Sequence, residues 1–207
     1  MLKLYDYPRS SAAYRVRIAL ALKGLTPETA EVHLLRDGGE QHMAAYRAVN
    51  PQELVPALDF DGRVLTQSLA IIEYLNEIHP APPLLPSAAF ERAQVRAITL
   101  AIAADLHPLQ NLRVGNALRK DFAATDDQVL AWHRRWIETG FAAFQAMLPA
   151  GKYCWGDTVT LADVVLAPQM VNARRYACDL TPFSRLVDID AALRDLPAFA
   201  LTAPPPA

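Results

Sequence analysis

Pro80-Ala81-Pro82-Pro83-Leu84-Leu85-Pro86 places four prolines in seven residues. No helix or strand runs through such a segment, because each proline removes a backbone donor and fixes its own φ. A chain interrupted this way folds as two pieces joined by a short, stiff connector. Before residue 80, short β-like runs alternate with helical ones; after it, helical periodicity dominates. The expected organisation is a first domain over 1–80, a linker over 81–87 and an all-helical domain over 88–207. With 52% hydrophobic and 20% charged residues among 207, the chain has the apolar surface to build cores on both sides of the seam.

In the first piece, Leu2 to Tyr7 reads as a strand. Ser10 or Ser11 then caps a helix that runs through Lys23 and stops at Gly24. Glu28 to Leu35 reads as a second strand with Val32 and Leu34 on one face, and residues 40–48 as a short helix. Ala57–Phe60 and Arg63–Thr66 flank Asp61-Gly62, a two-residue turn suited to type I′ geometry. Ser68 caps a helix that buries Leu69, Ile72 and Leu75. A βαβ unit followed by ββα predicts a mixed four-stranded sheet with helices against it. Beyond the linker, helices are expected from Ser87 to about Asp105, from Thr125 to Met147, from Thr160 past Met170, and from Val187 to Leu196. Pro204-Pro205-Pro206 is expected to fray.

Twenty basic against 22 acidic side chains leave a net charge of −2, so no basic footprint for nucleic acid exists. The longest nearly apolar stretch, Ala97–Ala104, falls far short of the roughly 20 residues a bilayer requires. Met1-Leu2-Lys3-Leu4-Tyr5 carries no signal-peptide pattern. Cys154 and Cys178 form neither a disulfide framework nor a metal cluster. The expectation is a cytoplasmic protein with no nucleic-acid, membrane or metal partner.

Three segments can carry chemistry. Arg9-Ser10-Ser11-Ala12-Ala13-Tyr14-Arg15 lies where a strand hands over to a helix, so its hydroxyls and free N–H groups can hold an anion such as a thiolate; a serine there is equally an ordinary cap. Val55-Pro56 precedes a hairpin strand, where a cis proline would leave backbone groups for a peptide-like ligand and a trans one would simply start the strand. Gln67-Ser68 sets an amide and a hydroxyl at another helix start.

The joint order of these motifs is more specific than any one of them. Together with Asn50-Pro51, Gln67-Ser68-Leu69-Ala70-Ile71-Ile72-Glu73-Tyr74-Leu75, Pro108-Leu109-Gln110-Asn111-Leu112 and Asp179-Leu180-Thr181-Pro182, the chain resembles the glutathione S-transferases over essentially its whole length. The closest likeness is to the zeta class, the maleylacetoacetate isomerases. The resemblance implies an α/β thioredoxin-like first domain, an all-α second domain, glutathione as cofactor, a small acidic substrate and a homodimer. By position, Ser10 matches the serine that stabilises the thiolate, and Ser11 its neighbour. Gln41, Val55, Gln67 and Ser68 match glutathione-binding positions, the last two at the γ-glutamyl end. Asn111 and Arg175 match residues lining the pocket for the acidic substrate, and Asn111 also borders the cofactor.

Three positions depart from the family pattern. Ala12 occupies the position where the family usually has a cysteine, which leaves isomerisation to the cofactor's thiol. His107 stands where many relatives have a glutamine in the glutathione site, and Arg113 where some have a small polar residue. The implied reaction is thiolate addition to an activated cis double bond, rotation and elimination, as in aromatic amino-acid breakdown. Arg9, Arg113 and Arg175 are the candidate cations for a substrate with a carboxylate at each end. Arg15 and Arg17 are assigned to structure, paired with acidic neighbours, and Asp163 to helix capping. Maleylpyruvate isomerisation, transfer to small halogenated acids and a non-catalytic binding module are the rival readings.

Overall fold

The computed structural model describes residues 1–205 and divides into two compact units, Met1–Pro83 with the chain from Leu196 onward, and Leu84–Asp195. The first unit holds β1 (Leu2–Asp6), α1 (Ser11–Leu22), β2 (Glu28–Glu31), α2 (Ala44–Arg47), β3 (Ala57–Phe60), β4 (Arg63–Thr66) and α3 (Ser68–Ile78). Its sheet has the order β2-β1-β3-β4, with β1 parallel to β2 and antiparallel to β3. This is the mixed sheet that the βαβ–ββα pattern predicts. The hairpin turn is as expected: Asp61 and Gly62 have φ of 51° and 82°, the two left-handed residues a type I′ turn requires. Leu4, Ala57 and Leu58 of the sheet are buried, as are Val16, Ile18 and Leu20 of α1 and Ile71, Ile72 and Leu75 of α3. Ile71 takes the inner position expected of Leu69, which is only half-buried.

Several boundaries differ from the sequence reading. β2 ends at Glu31 because the chain folds back: Glu40 accepts the His33 N–H on its carboxylate at 2.7 Å and donates its own N–H to the His33 carbonyl at 2.9 Å. The helix expected over 40–48 is split into a single 3₁₀ turn, Glu40–His42, and α2, since Met43 between them is extended. Ser68 is the first residue of α3 and not its cap; Gln67 precedes it at a φ of 68° with no side-chain cap.

The second unit, among the described residues, is built from helices and one isolated bridge between Tyr153 and Gly156. α4 (Ala89–Leu100) runs on as a π-helical turn, Ala101–Leu106, into the short α5 (His107–Leu109). α6 (Leu112–Phe122) was not expected. α7 (Asp126–Met147) starts from a capping box of Thr125 and Gln128, α8 (Leu161–Arg175) from one of Thr160 and Asp163, and α9 spans Ser184–Arg194. Gly115 lets α6 lie close to α7: a Cβ there would come within 3.3 Å of His133 Nε2.

The chain from Leu196, expected in the helical half, instead belongs to the first unit. α10 (Pro197–Ala200) buries Phe199, and Tyr14 Oη donates to the Phe199 carbonyl at 2.8 Å. The fraying expected at Pro204-Pro205-Pro206 falls in part on Pro206, outside the described residues.

Candidate active site

The segment Tyr7-Pro8-Arg9-Ser10 is a tight turn between β1 and α1, closed by the Ser10 N–H donating to the Tyr7 carbonyl at 2.8 Å. Ser10 is extended (φ −76°, ψ 119°) and its Oγ accepts from the Ala13 N–H at 3.2 Å, so it is the N-cap of α1. Capping and anion binding coexist here. The cap occupies a lone pair of Oγ and leaves the hydroxyl proton to donate elsewhere. Ser11 opens the helix, and no acidic residue lies in the first turn to offset the positive end of the dipole.

Arg17 fixes this turn. Its Nη1 donates to both Asp6 oxygens at 2.6 and 2.9 Å, its Nη2 to the Pro8 carbonyl at 3.0 Å, and its Nε to the Thr202 carbonyl at 3.1 Å. One planar guanidinium thus ties the end of β1, the serine-bearing turn and the C-terminal segment together. Arg9, within the turn, is exposed. Arg17 has the acidic partner expected of it; Arg15, two residues earlier, has none. It is 2% exposed, and its only hydrogen bond among the described residues runs from Nη1 to Ser68 Oγ at 3.3 Å.

The second group surrounds Val55. Tyr46 Oη and Asn50 Nδ2 both donate to the Leu54 carbonyl, at 2.6 and 2.7 Å, while Asn50 Oδ1 accepts the Gln52 N–H at 3.0 Å. Asn50-Pro51 therefore shapes the approach to Val55, whose bond to Pro56 is cis. Val55 packs with Tyr7, Val32 and Tyr46. Gln41 is 7% exposed; its Nε2 donates weakly to the Leu34 carbonyl at 3.4 Å and its Oε1 is buried without a partner. Gly39 makes room for that amide, since a Cβ there would lie 2.5 Å from Gln41 Nε2. Gln67 is exposed and donates to Gln52 Oε1 at 2.8 Å, and Ser68 beside it is buried. A buried orphan amide oxygen, serine hydroxyls and the starts of two helices suit an extended peptide with an anionic group at its thiol and at its ends.

In the helical unit, the π-helical turn delivers the half-buried His107 and then Asn111. Asn111 caps α6, accepting from the Arg113 N–H at 3.1 Å. The Arg113 side chain is exposed. At the end of α8, Arg174 pairs with the buried Asp190 at 2.6 Å, whereas Arg175 reaches Asn172 Oδ1 at 3.4 Å. Consecutive arginines diverge by about 100° on a helix, and here Arg174 holds the structure while Arg175 points elsewhere. Gln110, within the Pro108-Leu109-Gln110-Asn111-Leu112 motif, is buried and donates to Gln169 of α8, which ties the end of α5 to α8.

Neither cysteine competes as a nucleophile. Burial pushes the Cys154 thiol well up, with Asp163 adding to the effect, and burial together with Glu138 pushes Cys178 up to about 11. At neutral pH both are thiols. A disulfide reagent should therefore label the native protein slowly at pH 7.5 and titrate 2 thiols at once in denaturant. Fast labelling of the native chain would place a thiolate among the candidate groups.

Fold and donor set together define a class: residues 4–83 match the family described as "Glutathione S-transferase, N-terminal domain". A probable maleylacetoacetate isomerase of Vibrio cholerae is 50% identical over 204 residues, covering 97% of this chain and 94% of the relative. The holo structure of a maleylpyruvate isomerase, a bacterial zeta-class glutathione S-transferase, superposes with a TM-score of 0.94 at 46% identity, covering 98% and 96% of the two chains. A maleylacetoacetate isomerase from Anaeromyxobacter dehalogenans, solved with glutathione in its active site, gives a TM-score of 0.87 at 42% identity, covering 99% and 95%. The chain belongs to the zeta-class glutathione S-transferases, the family of the maleylacetoacetate isomerases.

Proposed function

We propose that this chain is a glutathione-dependent isomerase that converts maleylacetoacetate to fumarylacetoacetate in the breakdown of phenylalanine and tyrosine. The observation that carries the reading is Ser10: a capping serine with a hydroxyl proton to spare, at the start of a helix with no acid in its first turn. Glutathione, when bound, would supply the thiolate nucleophile for reversible addition to the cis double bond, the source of the isomerisation. The chain's own residues make that thiol acidic and hold the substrate.

Ser10, with Ser11 beside it, donates to the sulfur's negative charge where the helix dipole already favours an anion. A thiol of pKa near 8.5 is about 3% ionised at pH 7, and lowering it by roughly two units raises the thiolate about 25-fold. Gln41, Val55, Gln67 and Ser68 would hold the tripeptide, and His107 and Asn111 match cofactor-binding positions of the family. Arg9, Arg113 and Arg175 meet the substrate's carboxylates and the negative charge that develops between them, which favours the transition state over the ground state. Arg175→Ala is expected to raise KM for diacids by roughly tenfold or more, the value of one charge-assisted hydrogen bond, and to leave neutral electrophiles little changed. Equal loss on both would remove it from substrate recognition.

Maleylpyruvate is the second candidate substrate, because the superposable zeta-class structure is an isomerase of that shorter diacid. Steady-state rates on the two diacids decide between them, and failure to isomerise either would overturn the proposal. The family relationship also supports a cytoplasmic homodimer, which sedimentation would register as a mass near twice the 22.8 kDa of one chain. No helix among the described residues is long and apolar enough to cross a membrane.

A further inference from the structure

Arg15 lies one turn into α1, and its environment is unusual for a cation. It is 2% exposed, yet its Nε and Nη2 have no partner among the described residues. No carboxylate among the described residues pairs with it, and burial lowers its pKa to about 10, so it remains protonated at neutral pH. Its one hydrogen bond among the described residues ends on Ser68 Oγ, 3.3 Å away, at the first residue of α3. Neither α1 nor α3 has an acidic residue in its first turn. A buried guanidinium and two positive helix ends therefore stand in one unit, with no carboxylate among the described residues paired to the guanidinium. Such a charge is costly unless an anion is brought to it.

We propose that Arg15 is a positioning residue for glutathione, holding the Ser68 hydroxyl so that its proton is presented to the α-carboxylate of the γ-glutamyl group, with the arginine's charge lying beneath that carboxylate. The inference rests on the reading of Ser68 as a glutathione-binding residue and goes beyond it by naming what orients Ser68. A serine hydroxyl rotates freely about its C–O bond. Donation from Nη1 into an Oγ lone pair leaves the hydroxyl's own proton as a donor and, because the donor is cationic, strengthens it. The arginine touches no reacting atom. Its effect falls on affinity for the cofactor and not on the chemical step.

The test is calorimetric binding of two ligands: glutathione, and 4-aminobutyryl-cysteinyl-glycine, which lacks the γ-glutamyl α-carboxylate. Arg15→Met is expected to weaken glutathione roughly 10- to 100-fold, the range for loss of a hydrogen-bond arrangement serving a charged group, while the analogue binds variant and wild type alike. Ser68→Ala should weaken glutathione too, and the double variant should lose less than the two losses combined. In turnover, KM for glutathione should rise while kcat at saturation holds. Melting temperature should not fall, since the variant removes an unpaired buried charge. If Arg15→Met does not fold, Arg15→Lys supplies the same comparison, because an ammonium keeps the charge and loses the fixed fork. Unchanged glutathione binding, or equal weakening of both ligands, would overturn the role of Arg15 while leaving the site intact. Wild-type protein that fails to bind glutathione would overturn the site itself.

Discussion

Ser10→Ala should lower turnover of the diacid by roughly 10²–10³-fold, the usual effect of deleting one preorganised donor to a developing anion. The fold should survive. The residue's structural contribution is its acceptance of the Ala13 N–H at 3.2 Å, and losing such a cap costs about 0.5–2 kcal/mol, against a typical domain stability of about 5–15 kcal/mol. Ser10→Gly separates the two roles further, since glycine at an N-cap costs only a few tenths of a kcal/mol yet supplies no hydroxyl. Both variants should therefore show the same catalytic loss with different melting temperatures. The loss should also depend on pH with a definite sign. The hydroxyl favours the anionic sulfur, so removing it moves the thiol back toward about 8.5, and the deficit at pH 7 should shrink by up to roughly 25-fold at alkaline pH. What remains at high pH measures the donor's contribution to the transition state alone. Full activity in both variants would transfer the role to Ser11 or to the backbone at the start of α1.

What could be read from the sequence and what could not follows the range of the forces involved. The hairpin was legible because Asp-Gly is among the few pairs that adopt two successive left-handed conformations, and the start of α8 because Thr160 and Asp163 close a local box. Ser10 was legible as a cap for the same reason. α6 was not, because its one buried position is a glycine whose purpose is set by His133 on another helix. The early end of β2 was hidden because it depends on Glu40 reaching back to His33. The return of the C-terminal segment was hidden because backbone carbonyls at Phe199 and Thr202 carry it, and they have no side-chain pattern. Arg15 and Arg17 show the limit most clearly. They sit two residues apart on one helix with the same charge, and only the fold decides that Asp6 faces one while Ser68 faces the other.

The largest stability effect is expected at Asp163. Its carboxylate is fully buried and accepts three hydrogen bonds, from the Cys154 N–H at 2.8 Å, the Thr160 N–H at 2.7 Å and Thr160 Oγ1 at 3.0 Å. Two of these donors are backbone groups in places water does not reach, so the carboxylate both starts α8 and joins it to the loop at Cys154. Asp163→Ala leaves those N–H groups without partners, at about 1–3 kcal/mol each, and so removes the cap. The cap is one of those two bonds, so the N–H groups alone give about 2–6 kcal/mol. That range brackets the roughly 3–5 kcal/mol found when one partner of a buried charged pair is deleted. For a chain of this size the narrower figure corresponds to a fall in Tm of roughly 6–20 °C. Asp163→Asn should recover little of it, because both carboxylate oxygens accept here: whichever way the amide turns, its NH2 meets a backbone N–H. The consequence reaches beyond stability, since α8 carries Asn172 and Arg175 at its far end. At a temperature where the variant is still folded, activity should be close to wild type, and it should collapse with the melting transition. A variant that melted with the wild type would mean that the two N–H groups find other partners, and that the helix bearing Arg175 does not depend on this carboxylate.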